Sequence, residues 1–290
     1  MKKNMKSITL SSFILAFALT FIGCSENEEI TEEIVNTSEV ITATQLRYAD
    51  ESEQMADEIA EIAEDVYVSD ELGPTFKSGY QSDFLPECVV ITTTQTETTK
   101  KKTIDFGEGC ELHNGNVLSG KIILSYTLDM EAASKTIALT LENFTFNAVT
   151  IDGGASILRE RSNDHGNPQS TAIANYQATW PDGESASFSA NRNREWIAGF
   201  GSGFWGDNVF LITGNGTFVN KAGLLFSKEI TTPLRREMSC RFIVSGVLEI
   251  TRDGAIANLD FGDGSCDAKG ILTTPDGDSQ EILLRRFFNK

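Results

Sequence analysis

The sequence predicts an all-β fold with one N-terminal amphipathic helix: an antiparallel sandwich, roll or partly open barrel of about a dozen strands. Three observations lead there. Alternation of apolar and polar residues with period two takes over from about Cys88, as in Ile122, Leu124, Tyr126 and Leu128 against Ile123, Ser125 and Thr127. Turn signals recur through the same region, at Asn114-Gly115, Asp152-Gly153, Pro181-Asp182-Gly183, Asp253-Gly254 and Pro275-Asp276-Gly277. Helical periodicity is confined to a single segment ahead of them. With 290 residues, 40% of them hydrophobic, the chain can bury a core.

Residues 1–23 have the form of a signal peptide, with Lys2, Lys3 and Lys6 ahead of an apolar run from about Ile8 to Ile22. The run is too short and wrongly flanked for a stable membrane span. It ends in Phe21-Ile22-Gly23-Cys24, which resembles the lipobox of bacterial lipoproteins, in which the cysteine is acylated after cleavage. Phe21 stands where Leu is usual and Ile22 where a small residue is usual. The alternative is a secreted protein with a stray cysteine, and cysteine arithmetic opposes it: without Cys24, an even set of Cys88, Cys110, Cys240 and Cys266 is left.

Residues 24–42 are Cys24 followed by SENEEITEEIVNTSEVIT, acidic and without a persistent period, which predicts a disordered tether. Its start, Ser25-Glu26-Asn27-Glu28-Glu29, resembles the acidic export signal of surface lipoproteins, and Ser25 beside the cysteine fits outer-membrane sorting. The expected location is therefore the outer membrane, facing outward or into the periplasm. Removing the three signal lysines takes the net charge from −18 to −21. That balance disfavours nucleic acid and anionic lipid headgroups and leaves open neutral glycans, cations and basic proteins, so the expected partners beside the membrane are a glycan or an envelope protein.

A helix is expected over residues 43–72. Met55, Ile59, Ile62 and Val66 share one face, while Asp57, Glu58, Glu61, Glu64 and Asp65 lie mostly elsewhere, and Gly73-Pro74 closes the segment. Such a helix covers a sheet or docks a partner. The β domain then spans 85–290. In it Ile137, Leu139 and Leu141 are out of phase with Phe144 and Phe146, so a bulge near Glu142-Asn143 is expected to return both sets to one face.

The stretch TIDFGEGC at 103–110 returns as LDFGDGSC at 259–266. Folding the later copy about Asp253-Gly254 pairs Leu248 with Leu259, Ile250 with Ala257 and Gly246 with Phe261. One extra residue within Gly262–Ser265 would then bring Cys240 to Cys266. The earlier copy is symmetric about Thr99 and brings Cys88 to Cys110. Of the three pairings open to four cysteines, Cys88–Cys110 and Cys240–Cys266 is the one these hairpins predict. Each Asp-Phe-Gly then ends a strand, with Asp outward, Phe inward and Gly turning the chain toward a cysteine. The alternative for the acids is a calcium site at Asp260, Asp263 and Asp267, with Asp105 and Glu108 as counterparts, although D-x-x-D-G is not the EF-hand spacing.

These cysteine and DFG-x-G-(x)-C segments, the Ser119-Gly120-Lys121-Ile122-Ile123 and Ser245-Gly246 strands, and ITTPLRREMSC at 230–240 resemble a family of uncharacterised Bacteroidetes-type lipoproteins over residues 85–290. The resemblance implies an exported β lipoprotein and carries no activity or catalytic residue.

Chemistry is sparse. His113 and His165, the two histidines, sit in turn contexts, and no G-x-S-x-G, H-E-x-x-H or phosphate loop accompanies them. A hydrolase would have to work with paired carboxylates, for which 42 acids offer many combinations and no motif. The most suggestive stretch is WIAGFGSGFWGD at 196–207: Trp196, Phe200, Phe204 and Trp205 could stack on a sugar, with Asp207 and Asn208 reaching its hydroxyls. Otherwise these aromatics plug the end of the β domain. The sequence reads as a lipid-anchored, non-enzymatic envelope module for binding or structure, with glycan binding through the Trp196–Trp205 loop as the alternative and a hydrolase as the second.

Overall fold

Nothing in ATQLRYADESEQMADEIAEIAEDVYVSDEL breaks a helix. It holds neither Gly nor Pro and is rich in Ala and Glu, and α1 runs Ala43–Leu72. The computed structural model describes residues 43–73, 83–129 and 132–284. The signal peptide 1–23, Cys24 and the tether 24–42 lie outside the described residues.

The remainder is one antiparallel, open sheet of 14 strands. In order they are β1 (Val90–Gln95), β2 (Thr99–Asp105), β3 (Cys110–Glu111), β4 (Val117–Thr127), β5 (Ser134–Phe146), β6 (Val149–Glu160) and β7 (Gln169–Thr179). They continue with β8 (Ser185–Ala198), β9 (Val209–Asn220), β10 (Leu225–Glu237), β11 (Ile243–Arg252), β12 (Ala255–Asp263), β13 (Lys269–Thr273) and β14 (Ser279–Leu283). Each pairs with its neighbour in the chain, except that the two-residue β3 and the longer β2 both pair with β4. Of the architectures the sequence allowed, this is nearest the partly open barrel: one layer, curled, with two edges.

Alternation sets the inner face. Ile137, Leu139, Phe144 and Phe146 of β5 are all buried, because the register shifts between Thr140 and Thr145 where Asn143 takes φ 48°. The expected bulge is there. The turn signal at Asp152-Gly153, by contrast, marks no turn. The chain reverses at Asn147-Ala148, with φ of 47° and 67°, the paired positive values of a tight hairpin. Gly153 instead sits mid-strand at φ +121°, where a Cβ would stand 2.2 Å from the Asn175 carbonyl oxygen of β7. Glycine here lets β6 approach β7 closely while the strand bends.

The β11–β12 hairpin pairs Leu248 with Leu259, Glu249 with Asn258 and Ile250 with Ala257, as expected. Gly246 does not pair with Phe261. The register slips between Val247↔Asp260 and Ser245↔Asp263, so the extra residue lies at Phe261-Gly262, the leading edge of the stretch expected to hold it. β11 also has to follow β10, whose own register shifts at Thr232 and Arg235. In the first hairpin Thr94 pairs with Lys101 and Gln95 with Lys100, which centres the turn between Glu97 and Thr98 rather than at Thr99. Both disulfides form as the hairpins predict, Cys88–Cys110 and Cys240–Cys266.

The helix is not a cover with one wet face. Met55, Ile59, Ile62 and Val66 are buried, and so are Glu53, Asp57, Glu58, Glu61, Glu64, Asp65 and Glu71 on the other sides. A buried carboxylate needs a partner, and the sheet supplies cations from inward-facing positions. Arg159 of β6 places Nη1 3.1 Å from Glu64 Oε1 and Nη2 3.1 Å from Glu71 Oε2. Arg192 of β8 donates from Nε to Glu53 at 2.6 Å, and Lys228 of β10 stands 2.6 Å from the other oxygen of Glu53. Arg194 of β8 and Arg236 of β10 converge on Glu61 Oε1 at 3.4 and 3.1 Å. Glu58 accepts from the side-chain amides of Asn114 and Asn116. At the helix end Asp70 takes Lys100, Lys102 and the Tyr126 hydroxyl. Partners thus come from β2 through β10, so the sheet curls around the helix. The acids noted in the sequence as lying away from the apolar face are buried on a second, polar side of the same core.

Two of these acids, one helical turn apart, are pushed in opposite directions. Burial alone would raise Glu53, but Arg192 and Lys228 bring it down to about 2. Burial, reinforced by the nearby Glu53 carboxylate, holds Asp57 up at about 6 against the pull of Arg194 and Arg192. A raised carboxyl binds its proton more tightly in the folded state, so its contribution is full below about pH 4 and is lost as pH rises through about 6. Asp57→Asn is therefore expected to stabilise the protein at pH 7 by about 2–3 kcal/mol and to flatten stability between about pH 4 and 6, read by urea denaturation across pH. Glu61→Leu takes its carboxylate partner from buried Arg236 and leaves Arg194 with Glu64 alone at 3.5 Å, and is expected to cost about 3–5 kcal/mol in the same assay.

Candidate functional site

The repeated Asp-Phe-Gly triplets resolve into the same local device twice. Asp105 Oδ1 accepts the Gly107 backbone N–H at 2.9 Å, and Asp260 Oδ1 accepts that of Gly262 at 2.9 Å. Phe106 and Phe261 are buried, and Gly107 and Gly262 take φ of 62° and 104°. Asp outward, Phe inward and Gly turning is the observed arrangement.

The candidate calcium ligands are not gathered. Asp263 Oδ1 accepts from Ser265 N at 3.1 Å and Asp267 Oδ1 from Lys269 N at 3.0 Å, so each aspartate caps its own turn, as Asp260 does. The Ser265 side chain, and then its backbone N–H, hold the Asp263 carboxyl below its ordinary value. Among the described residues no three His, Cys, Asp or Glu side chains converge on a point that could hold a metal. The exposed His165 ring lies 3.0 Å from Glu195, and the exposed His113 follows Leu112 at the β3–β4 turn.

The aromatic stretch is split between core and surface. Trp196, the last inward side chain of β8, is 1% exposed and donates from Nε1 to Asn208 Oδ1 at 3.1 Å. Trp205, in a single 3-10 turn at Trp205–Asp207, is 4% exposed and packs against Trp196, Phe84 and Phe210. Asp207, expected to reach a sugar hydroxyl, accepts instead from Ser202 Oγ at 2.9 Å. Only Phe200, 37% exposed and stacked beside Arg159, and Phe204, 58% exposed, face outward. The five residues do not form one platform; the two tryptophans plug the end of the curled sheet.

Phe204 and Trp205 do border a cleft of about 630 Å³, within the usual range for small-molecule sites. Phe84, Leu112 and Met238 complete its apolar wall. Asp83, His113, Asn114, Arg236 and Arg241 supply the polar one. Two segments adjoining disulfide cysteines frame it, 112–114 beyond Cys110 and 238–241 around Cys240. Asp83 ties in the third side by accepting the Trp205 backbone N–H at 2.7 Å.

Arg236, Met238 and Arg241 lie within or just beyond RREMSC, a run visible in the sequence but carrying no motif. A signal was present nonetheless: in β10 alternation turns one of two adjacent arginines inward, and the disulfide fixes the residues just beyond the strand. Comparison with known protein families, curated proteins and solved structures gives no match.

If the aspartates serve turns rather than a cation, Asp260→Ala is expected to lower stability by about 0.5–1.5 kcal/mol, the worth of one hydrogen bond. Asp260→Asn, which keeps the acceptor, is expected to be near wild type, and thermal melts with calcium or chelator are expected to coincide.

Proposed function

We propose that this protein is a lipid-anchored, non-enzymatic binding module of the bacterial cell envelope, presenting the cleft between its two disulfide-linked segments to a ligand. The cleft carries this reading. It is concave, rimmed by aromatics and polar groups, and braced on two sides by disulfides, which is the form of a preorganised binding site. The two disulfides indicate an extracytoplasmic, oxidising compartment, and among the described residues no helix is long and apolar enough to cross a membrane. The signal-like segment 1–23 and Cys24 supply export and anchorage, and two or more acyl chains on Cys24 would hold the domain durably at the membrane. Against catalysis stands the engagement of the interior carboxylates, with Glu53, Glu61, Glu64 and Glu71 each bound to arginine or lysine.

A glycan is the second reading, favoured by the exposure of Phe204 at the rim. Its stacking surface would be Phe204, with Phe200 beside it, since the tryptophans are enclosed.

Anchorage is tested by fractionation. The wild-type chain is expected in the outer-membrane fraction, while Cys24→Ser is expected in the soluble envelope fraction with both disulfides intact; a membrane-bound Cys24→Ser chain counts against the lipid anchor. Binding is tested by a thermal-shift screen of the Cys24→Ser chain against neutral oligosaccharides and small organic ions. A saturable shift supports the module, and none across the screen counts against it.

A further inference from the structure

We propose that the free edge of β1 pairs with the same edge of a second copy of this chain, Thr93 against Thr93, to form a closed dimer with one antiparallel sheet running through both protomers. The proposal uses no residue of the cleft.

The first ground is where the backbone groups of β1 point. The turn after the strand closes with Thr96 N–H donating to the Thr99 carbonyl at 2.9 Å, and Gln95 back to Val90 then pair with Lys100 to Asp105 without a break in register. Hydrogen-bonded pairs alternate along an antiparallel ladder, so Val90, Thr92 and Thr94 direct their N–H and C=O groups to β2. Ile91, Thr93 and Gln95 direct theirs to the other side, where no strand follows among the described residues. Val89, just ahead, already gives its N–H to the Pro86 carbonyl. The free edge is therefore Ile91, Thr93 and Gln95, evenly spaced about Thr93. An antiparallel copy laid with Thr93 facing Thr93 matches Ile91 with Gln95 in both directions and leaves no donor or acceptor of that edge over. A shift by two residues leaves Ile91 or Gln95 unpaired on each chain.

The second ground is the lack of any guard. Natural sheet edges carry lysine, proline or a bulge that turns another strand away. Residues 88–96, CVVITTTQT, hold no charge and no proline, and none of them takes a positive φ. All of β1 is exposed, Val90 at 57% and Ile91 at 43%. In a chain of net charge −18, such a stretch lets a second copy approach without meeting like charge. Glu87 and Glu97, which flank it, fall opposite Val89 and Thr99 in the Thr93-centred register, not opposite each other. The far edge of the sheet differs. β14, SQEIL, has Glu281 at its centre, so the same arrangement there would set Glu281 against Glu281. Pairing β1 with itself closes after two copies, whereas β1 on β14 would continue as an open array. An edge this short covers less than the roughly 1,200 Å² of a stable complex, so the dimer is expected to be weak and is best trapped covalently.

In the Cys24→Ser full-length chain the four remaining cysteines are held in the two disulfides, so a cysteine placed at position 93 or 92 is the single free thiol. Each variant is oxidised with copper phenanthroline and read by non-reducing gel and peptide mapping. Facing residues of a hydrogen-bonded pair stand about 5.5 Å apart at Cα, within disulfide reach, while the two Thr92 positions are diagonal neighbours at about 7–8 Å. Thr93→Cys is therefore expected to form a covalent dimer at least about tenfold faster than Thr92→Cys. Adding Ile91→Pro removes an outward N–H that β2 does not use, and is expected to slow the Thr93→Cys cross-link at least about tenfold while the chain still folds. Should that variant fail to fold, the ratio of the two cross-linking rates decides. Equal rates at the two positions, no dimer from Thr93→Cys, or a folded Ile91→Pro chain that cross-links as fast overturns the proposal. Assemblies larger than a dimer in sedimentation velocity of the Cys24→Ser chain overturn the closed pair in favour of an open array.

Discussion

Neutralising an acidic helix inside a curled sheet is the constraint on which the rest of this structure depends. A helix buried on nearly every side between Ser52 and Val68 would bury a column of carboxylates at prohibitive cost unless cations met them. The sheet places Arg159, Arg192, Arg194, Lys228 and Arg236 at inward positions of β6, β8 and β10 for that purpose. Buried ion pairs add little net stability against well-packed apolar residues, because desolvation offsets their attraction. What they impose here is register. A helix shifted by one residue would swing Glu61, 1% exposed, away from both of its arginines and strand three charges together.

That register reaches the cleft. Glu61 holds Arg236 by Nε, and Arg236 in turn holds the backbone carbonyls of Glu237 and Cys240, so the helix fixes the segment that forms one wall. The Cys240–Cys266 disulfide pins the same segment from outside. On the facing wall Glu58 binds the side chains of Asn114 and Asn116. One turn of the helix therefore braces both sides of the cleft. Walls set by a buried polar network and two covalent links lose little freedom when a ligand binds.

The parts of this design that depend on local periodicity could be read from the sequence. The register of Leu248 with Leu259, the bulge at Asn143 and the turning role of Asp-Phe-Gly each follow from alternation plus the conformational tolerance of Gly or Asn. Where one dipeptide serves two ends, the reading failed: Asp152-Gly153 has the composition of a hairpin turn, yet Gly153 is used for close strand approach. The acidic side of α1 misled for a deeper reason. Carboxylates away from an apolar face imply solvent only if no cations await them, and those cations lie as far along the chain as Arg159 from Glu71, 88 residues, and Arg236 from Glu61, 175 residues. Arg192 and Arg194, two apart in β8, were a legible sign of an inward basic face once the strand was assigned.

Strand phase also divides the aromatic stretch at 196–207. Trp196 follows Arg192 and Arg194 in that phase, so alternation carries it inward with them, and its indole meets Asn208 in the core. Phe200 and Phe204 lie beyond the end of β8, where no strand phase acts, and both remain outward. Trp205 is recaptured by the 3-10 turn and by Asp83, which returns its ring to the plug without bringing an acceptor to its Nε1. The tryptophan is thus core by packing, and it carries one unpaired donor into that core. A position that only filled space would be served as well by phenylalanine, which carries no buried donor, so the unpaired Nε1 is a cost that ring packing on Trp196, Phe84 and Phe210 has to offset.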